Sequence, residues 1–169
     1  MKKILMVIAQ TNFRDEEFLG PKEVFEKNGF QVTVASKGVS EALGVLGARV
    51  KVDLDVSQVK VADYDGLVFV GGPGASVYFN DQAALSLAKA AVGQEKVVGA
   101  ICIAPSILAN AGVLTAKKAT AFSSEEENLR EKEAEYTGEA VTVDGKIVTA
   151  NGPGAAREFG EKIVDLLSR

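Results

Sequence analysis

Hydrophobic residues follow two alternating patterns along the chain, and the first pattern predicts strands. Continuous apolar runs at Ile4 to Ala9 and Val97 to Ile101 are typical of strands buried on both faces of a parallel sheet, and Tyr64 to Val70 is predicted as another buried strand. Gln31 to Ala35 is predicted as a further strand, and Leu46 to Asp53 alternates as an edge or hairpin strand does.

The second pattern is helical, with apolar residues recurring every three or four positions between the strands. It predicts helices over Glu16 to Asn28, Asp81 to Val92, Ala104 to Ala111, Ser124 to Ala134 and Ala155 to Leu167. Pro21 lies inside the first of these segments, which predicts a helix that is kinked at Pro21 or begins there.

The remaining strands are predicted near the C-terminus. Lys118 to Phe122 is a short strand, and the strands Glu139 to Asp144 and Lys146 to Ala150 flank Asp144-Gly145, a dipeptide favoured in a type I′ hairpin turn. Strands that alternate with helices, without a linker or a repeat, predict one domain over residues 1–169. We expect an α/β fold with a doubly wound, mostly parallel sheet sandwiched by helices.

The composition and the net charge limit the classes of binding partner and the cellular location that we expect. The chain has 169 residues, 47% of them hydrophobic, and 19 basic against 23 acidic side chains leave a net charge of −4. This weak acidity argues against nucleic acid or a membrane surface as a partner. The apolar run at the N-terminus is too short for a signal peptide, and the single cysteine suits a reducing compartment, so we expect a cytoplasmic location.

The chain contains no histidine, which excludes several kinds of chemistry. A Ser-His-Asp triad, a Cys-His dyad and a His-ligated zinc or haem site all require an imidazole. We expect neither a metal nor an organic cofactor. Any catalysis must therefore use cysteine, carboxylates, lysine, tyrosine or backbone dipoles.

The only cysteine, Cys102, ends the predicted strand Val97 to Ile101 and precedes a predicted helix. This strand-to-helix junction is typical of a nucleophile elbow, and Pro105 fits the first turn of the helix. The positive end of the helix is expected to lower the pKa of the Cys102 thiol. The alternative is an inert cysteine packed at the end of a core strand.

Two other segments follow strands and are expected at the same edge of the sheet. The Gly-Gly-Pro-Gly segment 71–74 is either a tight turn or a loop whose N–H groups stabilise an oxyanion. The acids after Arg14 either complement a helix dipole or reach Cys102. The acidic stretch 125–133 is interpreted as a solvated helix face, with Glu126 and Arg130 spaced for an ion pair.

Four of these features occur together: Ala-Ile-Cys-Ile-Ala-Pro at 100–105, the glycine-rich loop 71–74, Glu17 ahead of Pro21, and the stretch 143–159. In this combination the chain resembles the ThiJ/PfpI superfamily. The resemblance implies a flavodoxin-like sandwich of the class I glutamine amidotransferase type, usually a dimer. It also implies that Cys102 is the nucleophile, that Glu17 hydrogen-bonds to its sulfur, and that backbone N–H groups of Gly72 and Ile103 form an oxyanion hole.

The chain departs from the family pattern at several positions. Ile103 stands where peptidase members carry a histidine directly after the nucleophile, and Phe122 lies near the place where another branch carries one. Asn151 replaces a family arginine, which weakens contacts to an anion or a partner expected there. The resemblance also implies that Arg49 of one subunit lies near the Cys102 site of the other subunit of the dimer.

A Cys-Glu site without histidine favours a cofactor-independent enzyme that acts on reactive carbonyls, like a glyoxalase or deglycase. Cys102 would add to an α-oxoaldehyde, and Glu17 would move a proton between carbons to give a hydroxy acid. The substrate would be a small carbonyl compound or a glycated protein. The alternative is a redox-sensing or stress-protective protein whose Cys102 is oxidised. A cysteine peptidase is the weakest hypothesis, because amine departure needs a general acid.

Overall fold

Strands and helices alternate along the chain in the computed structural model, which describes residues 1–169. The strands are β1 (Lys3–Val7), β2 (Thr11–Phe13), β3 (Gln31–Ser36), β4 (Glu41–Gly44), β5 (Arg49–Lys51), β6 (Leu54–Asp55), β7 (Gly66–Phe69), β8 (Val97–Ile101), β9 (Lys118–Ala119), β10 (Glu135–Tyr136), β11 (Val141–Asp144) and β12 (Ile147–Ala150). The α-helices are α1 (Asp15–Lys27), α2 (Gln82–Gly93), α3 (Pro105–Asn110), α4 (Glu126–Glu131) and α5 (Ala156–Leu167).

A central sheet of seven strands, in the order β11-β12-β8-β7-β1-β3-β6, organises the fold. Every neighbouring pair is parallel except β11 and β12, which confirms the predicted doubly wound, mostly parallel sheet. From β1 the chain moves outward to β3 and β6, and it then returns to the other side of β1 to form β7. The carboxyl ends of β1 and β7 therefore flank a topological switch point, where ligands bind in folds of this kind.

Both faces of the sheet are covered by helices, which explains the continuous aliphatic runs. In β1, Leu5 belongs to the apolar layer that includes residues of α2, α3 and α4, while Ile4 and Met6 belong to the layer that includes residues of α1 and α5. All three side chains are completely buried. Alternate residues of one strand thus contribute to two cores, so Ile4 to Val7 leave no position for a polar side chain, and only Lys3 at the start of the strand is exposed.

Several predicted boundaries are wrong. The predicted strand Leu46 to Asp53 reduces to β5, which pairs with β4 in a separate small sheet that also contains β2. Neither β2 nor β4 was predicted, because three or four residues are too few for a clear alternating pattern and β2 pairs with β4 from a separate part of the chain. The predicted strand Lys118 to Phe122 likewise shortens to β9.

Helix α1 begins at Asp15 and runs unbroken through Pro21, so the prediction that the helix begins at Pro21 is wrong. Proline removes only one intrahelical hydrogen bond, the one to the carbonyl of Glu17, and packing against α5 retains the helix. The C-terminal hairpin is confirmed, but its central residues are Gly145 and Lys146. Only Gly145 has a positive φ, of 59°, which is the type II′ arrangement rather than the predicted type I′.

None of the helices combines the length and the apolar composition that a membrane crossing requires.

Candidate active site

The candidate site lies at the switch point and is built from three strand ends. Glu17 is in the first turn of α1, after β1 and β2; Gly71 and Gly72 follow β7; Cys102 and Ile103 follow β8. The structure brings these five residues together, although they come from three separate parts of the sequence. The acid that faces Cys102 is Glu17, while the side chains of Asp15 and Glu16 bond elsewhere.

Cys102 adopts a left-handed backbone conformation with a φ of 64°, which is uncommon for a residue with a side chain. Its N–H donates to the carbonyl of Ala150 over 2.9 Å, and its carbonyl accepts from the N–H of Phe122 over 2.8 Å. Strained backbone of this kind persists only where its surroundings hold it. The sharp turn leaves the Cys102 side chain partly exposed at the edge of the sheet.

Gly71 allows Cys102 and Glu17 to approach each other. A Cβ atom at this position would lie 2.6 Å from the Cβ of Cys102 and 2.6 Å from Oε1 of Glu17. Such distances are far inside van der Waals contact. Any residue larger than glycine would therefore push the thiol and the carboxyl apart.

Gly72 lets the turn after β7 pack directly against the backbone that leads into α1. Its φ is 101°, and a Cβ atom there would overlap the backbone of Asn12, Phe13 and Arg14. The N–H of Arg14 donates to the carbonyl of Gly71 over 2.9 Å, which fastens this turn to the start of α1. The backbone N–H groups of Gly72 and Ile103 both stabilise the thiolate form of Cys102 and lower its pKa. These are the two N–H groups that the family resemblance selected.

The Glu17 carboxyl is completely buried, and neither of its oxygens has a hydrogen-bond partner of regular geometry. Burial raises the pKa of Glu17 to about 7, although the neighbouring Cys102 and Arg14 act in the opposite direction. An apolar setting disfavours the charged form of a carboxyl, which is why its pKa rises. Glu17 therefore changes its protonation state close to neutral pH.

The predicted lowering of the Cys102 pKa is wrong. Burial, together with the negative charge of Glu17, raises the pKa of the Cys102 thiol to about 11, and the N–H groups of Gly72 and Ile103 offset only part of this rise. Helix α3 has only six residues, so its dipole contributes little. At neutral pH the thiol keeps its proton until a base removes it, and the nearest base is Glu17.

The other residues singled out from the sequence lie around this centre or away from it. Phe122 has an exposed side chain, and its N–H binds the Cys102 carbonyl. Asn151 follows β12 and donates its N–H to Ala140. Arg49 lies on β5 and pairs with Glu41 over 3.1 Å, so within one chain it is not part of the site. No group of three cysteine, aspartate or glutamate side chains converges in a way that could hold a metal ion.

A polar network next to the elbow was not predicted from the sequence. The hydroxyl of Ser106 donates to Glu125 over 2.7 Å and accepts from Asn128 over 3.0 Å. The interpretation of the acidic stretch as a solvated face is therefore wrong for Glu125, although Glu126 does pair with Arg130 over 2.9 Å. The only signal in the sequence was a serine within an apolar helix.

Fold and site together define an α/β protein of flavodoxin-like topology, with a cysteine elbow beside a buried carboxyl. The model of the DJ-1/PfpI family matches residues 2–166, and the chain belongs to this family. The resemblance to the ThiJ/PfpI superfamily is thereby confirmed.

Relatives cover nearly the whole chain. An uncharacterized protein of Methanocaldococcus jannaschii, MJ0967, is 41% identical and matches 99% of this chain and 83% of its own length. The deglycase PH1704 of Pyrococcus horikoshii is 30% identical over 98% of this chain and 99% of its own. The glutathione-independent glyoxalase DJR-1.2 of Caenorhabditis elegans is 28% identical over 98% of this chain and 89% of its own.

A solved structure shows the same fold. The ThiJ/PfpI domain protein of Brachyspira murdochii has a TM-score of 0.96 and 36% sequence identity, and the match covers 98% of this chain and 96% of that one.

Proposed function

We propose that the protein is a cofactor-independent Cys-Glu enzyme that converts an α-oxoaldehyde into a hydroxy acid, as a glyoxalase or deglycase would. The observation that carries the proposal is the Glu17 carboxyl, which is buried beside Cys102 without a hydrogen-bond partner. Its pKa of about 7 suits a group that must both remove and return a proton. The names of the Pyrococcus and Caenorhabditis relatives support the same class of reaction.

The first step is addition of the thiol to the aldehyde carbon. The Glu17 carboxylate takes the thiol proton while the Cys102 sulfur forms a bond to carbon and the carbonyl electron pair moves to oxygen. The N–H groups of Gly72 and Ile103 would stabilise that oxygen. Glu17 then returns its proton to the oxygen, which gives a neutral hemithioacetal and regenerates the carboxylate.

The second step is a proton shift between the two carbons. Glu17 removes the hydrogen on the hemithioacetal carbon as a proton and delivers it to the neighbouring ketone oxygen, which gives an enediol. It then takes the proton of the hemithioacetal hydroxyl, whose oxygen re-forms a carbonyl, and delivers that proton to the adjacent carbon. The product is a thioester between Cys102 and the hydroxy acid. Water adds to this thioester, the carbon–sulfur bond breaks, and the thiol regains its proton, so the net change is the uptake of one water molecule. A protein glycated by the same aldehyde would enter this route after its adduct breaks down, which releases the protein amine or thiol and restores the aldehyde carbon.

The test is to incubate the protein with methylglyoxal and follow lactate. We expect turnover by the wild type and its loss in both Cys102→Ala and Glu17→Gln. Asp15→Asn is the matched control, because Asp15 is a buried acid of the same helical turn that bonds to Leu46 and Ala48 instead. Equal lactate formation by the wild type and Cys102→Ala would rule the proposal out.

The second candidate function is redox sensing or stress protection through oxidation of Cys102. It is supported by the two N–H groups directed at the sulfur, which would hold an oxygen of a sulfinate, and by the lack of a second cysteine to form an intramolecular disulfide. A clean gain of two oxygens in the intact mass after mild peroxide, without carbonyl turnover, favours the sensor. Cys102-dependent cleavage of a fluorogenic peptide would instead revive the peptidase hypothesis.

We further propose that the protein forms a homodimer through a groove beside α1. The groove has a volume of about 640 Å³ and is lined by residues of α1, the loop 45–48 and the segment after β12. Leu19 and Leu46 in its wall are 48% and 64% exposed, and Arg49 directly follows the loop. Light scattering should give twice the 17.7 kDa of one chain, and Leu46→Glu should give the monomer. A monomeric wild type would refute the dimer.

A further inference from the structure

Three segments of the chain surround Cys102, and a polar network joins them at a distance from the Cys-Glu pair. The first segment is the turn that begins at Gly72 and ends at Phe79, the second is α3, and the third runs from Phe122 through α4. The network is built from side chains of α3 and α4 with the residue before α4. None of these side chains belongs to the proposed chemistry.

Asn128 lies at the centre of this network. Its side-chain amide donates to the hydroxyl of Ser106 over 3.0 Å and to Oδ1 of Asn110 over 3.1 Å. Ser106 is completely buried, and its hydroxyl donates a hydrogen bond to Oε1 of Glu125 over 2.7 Å. Asn110 donates to the carbonyl of Phe79 over 2.8 Å. One amide thus connects both helices to the end of the turn that carries Gly72.

The arrangement admits only one orientation of the Asn110 amide. Its oxygen accepts from the Asn128 amide, and its nitrogen donates to the Phe79 carbonyl. If the Asn110 amide were flipped, its nitrogen would face the Asn128 nitrogen, also a donor, and its oxygen would face the Phe79 carbonyl oxygen, also an acceptor. Replacing the Asn128 amide by a carboxylate would remove both donors without changing the size of the side chain. The network therefore depends on an amide at position 128.

Each end of the network leads to a group at the site. Ser106 donates its backbone N–H to the carbonyl of Ile103 over 3.1 Å. The N–H of Glu125 donates to the carbonyl of Phe122, whose own N–H holds the Cys102 carbonyl over 2.8 Å. The third link runs through Asn110 to Phe79, which ends the 3-10 turn that starts directly after Gly72.

We propose that Asn128 is a positioning residue for the Cys102 site, which acts through Ser106 and Asn110 to keep the N–H groups of Gly72 and Ile103 aimed at the sulfur. The part of this proposal that concerns turnover rests on the proposed carbonyl chemistry. The part that concerns the geometry around the thiol does not, because alkylation of Cys102 reports on it directly.

The experiment compares Asn128→Asp with the wild type in two assays. In methylglyoxal turnover we expect kcat to fall about tenfold with little change in KM, because small displacements of catalytic groups affect the reaction more than binding. In alkylation by iodoacetamide at a fixed pH we expect the rate constant for Cys102 to fall by about fivefold, since misaligned N–H groups stabilise the thiolate less. The exposed neighbour Glu127→Gln is the control and should match the wild type in both assays.

Ser106→Ala attacks the same network from α3 and serves if Asn128→Asp does not fold. It should slow alkylation in the same direction. In the double variant the two effects should be clearly less than additive, because both substitutions break one network.

An alkylation rate that is unchanged or faster in Asn128→Asp and in Ser106→Ala, with only a lower melting temperature, would show that the network serves stability alone and would overturn the proposal. If the wild type turned over no carbonyl, the proposed function would fail, and the alkylation rates would still decide the role of Asn128.

Discussion

Asp15 and Glu17 lie two residues apart at the start of α1, and both acids are buried, yet their surroundings are opposite. The Asp15 carboxylate accepts the backbone N–H of Leu46 over 2.9 Å and that of Ala48 over 2.8 Å. Burial alone would raise the pKa of Asp15, but these two hydrogen bonds, together with the N–H of Asp15 itself and the charge of Arg14, hold the pKa below its ordinary value. The Glu17 carboxyl has no such partner, and burial raises its pKa to about 7.

The comparison separates a structural acid from a reactive one. A carboxylate whose oxygens are satisfied by backbone N–H groups stays charged and fastens a loop. A carboxyl left without partners is costly to keep charged, so it exchanges a proton near neutral pH. Each acid also lies against a glycine: Gly44 for Asp15 and Gly71 for Glu17. The two regions can therefore be altered by matched substitutions.

The largest difference in methylglyoxal turnover is expected between the variants Gly71→Ala and Gly44→Ala. A methyl group at Gly71 would enter the space between Cys102 and Glu17, so methylglyoxal turnover should fall by about a hundredfold or more. A methyl group at Gly44 would overlap the Asp15 carboxylate, which should cost about 1–3 kcal/mol of stability while the Cys102 site still reacts. Turnover and urea unfolding of the two variants check this. Full activity in Gly71→Ala would contradict the role given to that contact.

The next largest difference is expected in how the free energy of unfolding depends on pH in Glu17→Gln and in the wild type. Because folding raises the pKa of Glu17 from 4.5 to about 7, its contribution to stability is complete below pH 4.5 and is lost as the pH rises through 7. Glutamine stays neutral, so the variant should match the wild type at pH 4 and exceed it at pH 8 by on the order of 3 kcal/mol. Denaturant unfolding at both pH values measures this. A constant difference across the range would mean that Glu17 does not titrate as described.

Asp15→Asn should show the opposite sign. The pKa of Asp15 is lowered by folding, so its contribution is present above the ordinary value of 3.8 and is lost as the pH falls through the lowered value. Asparagine weakens the bonds to the loop 45–48, which should cost about 1–2 kcal/mol at pH 7 and less in acid. Unfolding curves at neutral and acidic pH test this, and greater stability of Asp15→Asn at pH 7 would refute the anchoring role.

The smallest effect is expected from Arg14→Gln. The guanidinium of Arg14 pairs with Glu16 over 2.9 Å and lowers the pKa of Glu17. Its removal should move the rising limb of the pH profile of kcat to higher pH by a fraction of a unit, because Glu17 would then hold its proton more tightly. Lys22→Gln, which removes an exposed cation of the same helix, is the control. A shift to lower pH would contradict the assignment of this limb to Glu17.

Most of the fold could be predicted from local patterns. The run Val97 to Ile101 matches β8 residue for residue, and the helical periodicity near the C-terminus matches α5 to within one residue. These predictions succeeded because burial on two faces, or on one helical stripe, leaves a regular trace in the sequence. The short strands β2 and β4 left no such trace, since three or four residues are too few to show a period and β2 pairs with β4 only across α1 and β3.

Only part of the Cys102 site could be predicted from the sequence. The position of Cys102 after a strand, the glycines 71–74 and the absence of histidine are readable from the sequence itself. Residue types did not distinguish Glu17 from Asp15 or Glu16; only the family resemblance did. Nor could they reveal that Glu125 and Asn128, within a strongly charged stretch, turn inward to Ser106.

The sequence by itself thus determined the alternation of strands and helices, the place of the thiol at a strand end and the exclusion of imidazole chemistry, because these depend on residue type and short-range periodicity. Residue types and periodicity left open which acid faces the thiol, a choice that only the family resemblance made, and the tertiary structure alone decided which way the two pKa values move. Burial and hydrogen bonding are set by segments distant in sequence: the N–H groups of Leu46 and Ala48 bind Asp15, whereas no group forms a regular hydrogen bond with Glu17. The same two charges in the same helical turn therefore acquire different chemistry from what folds around them.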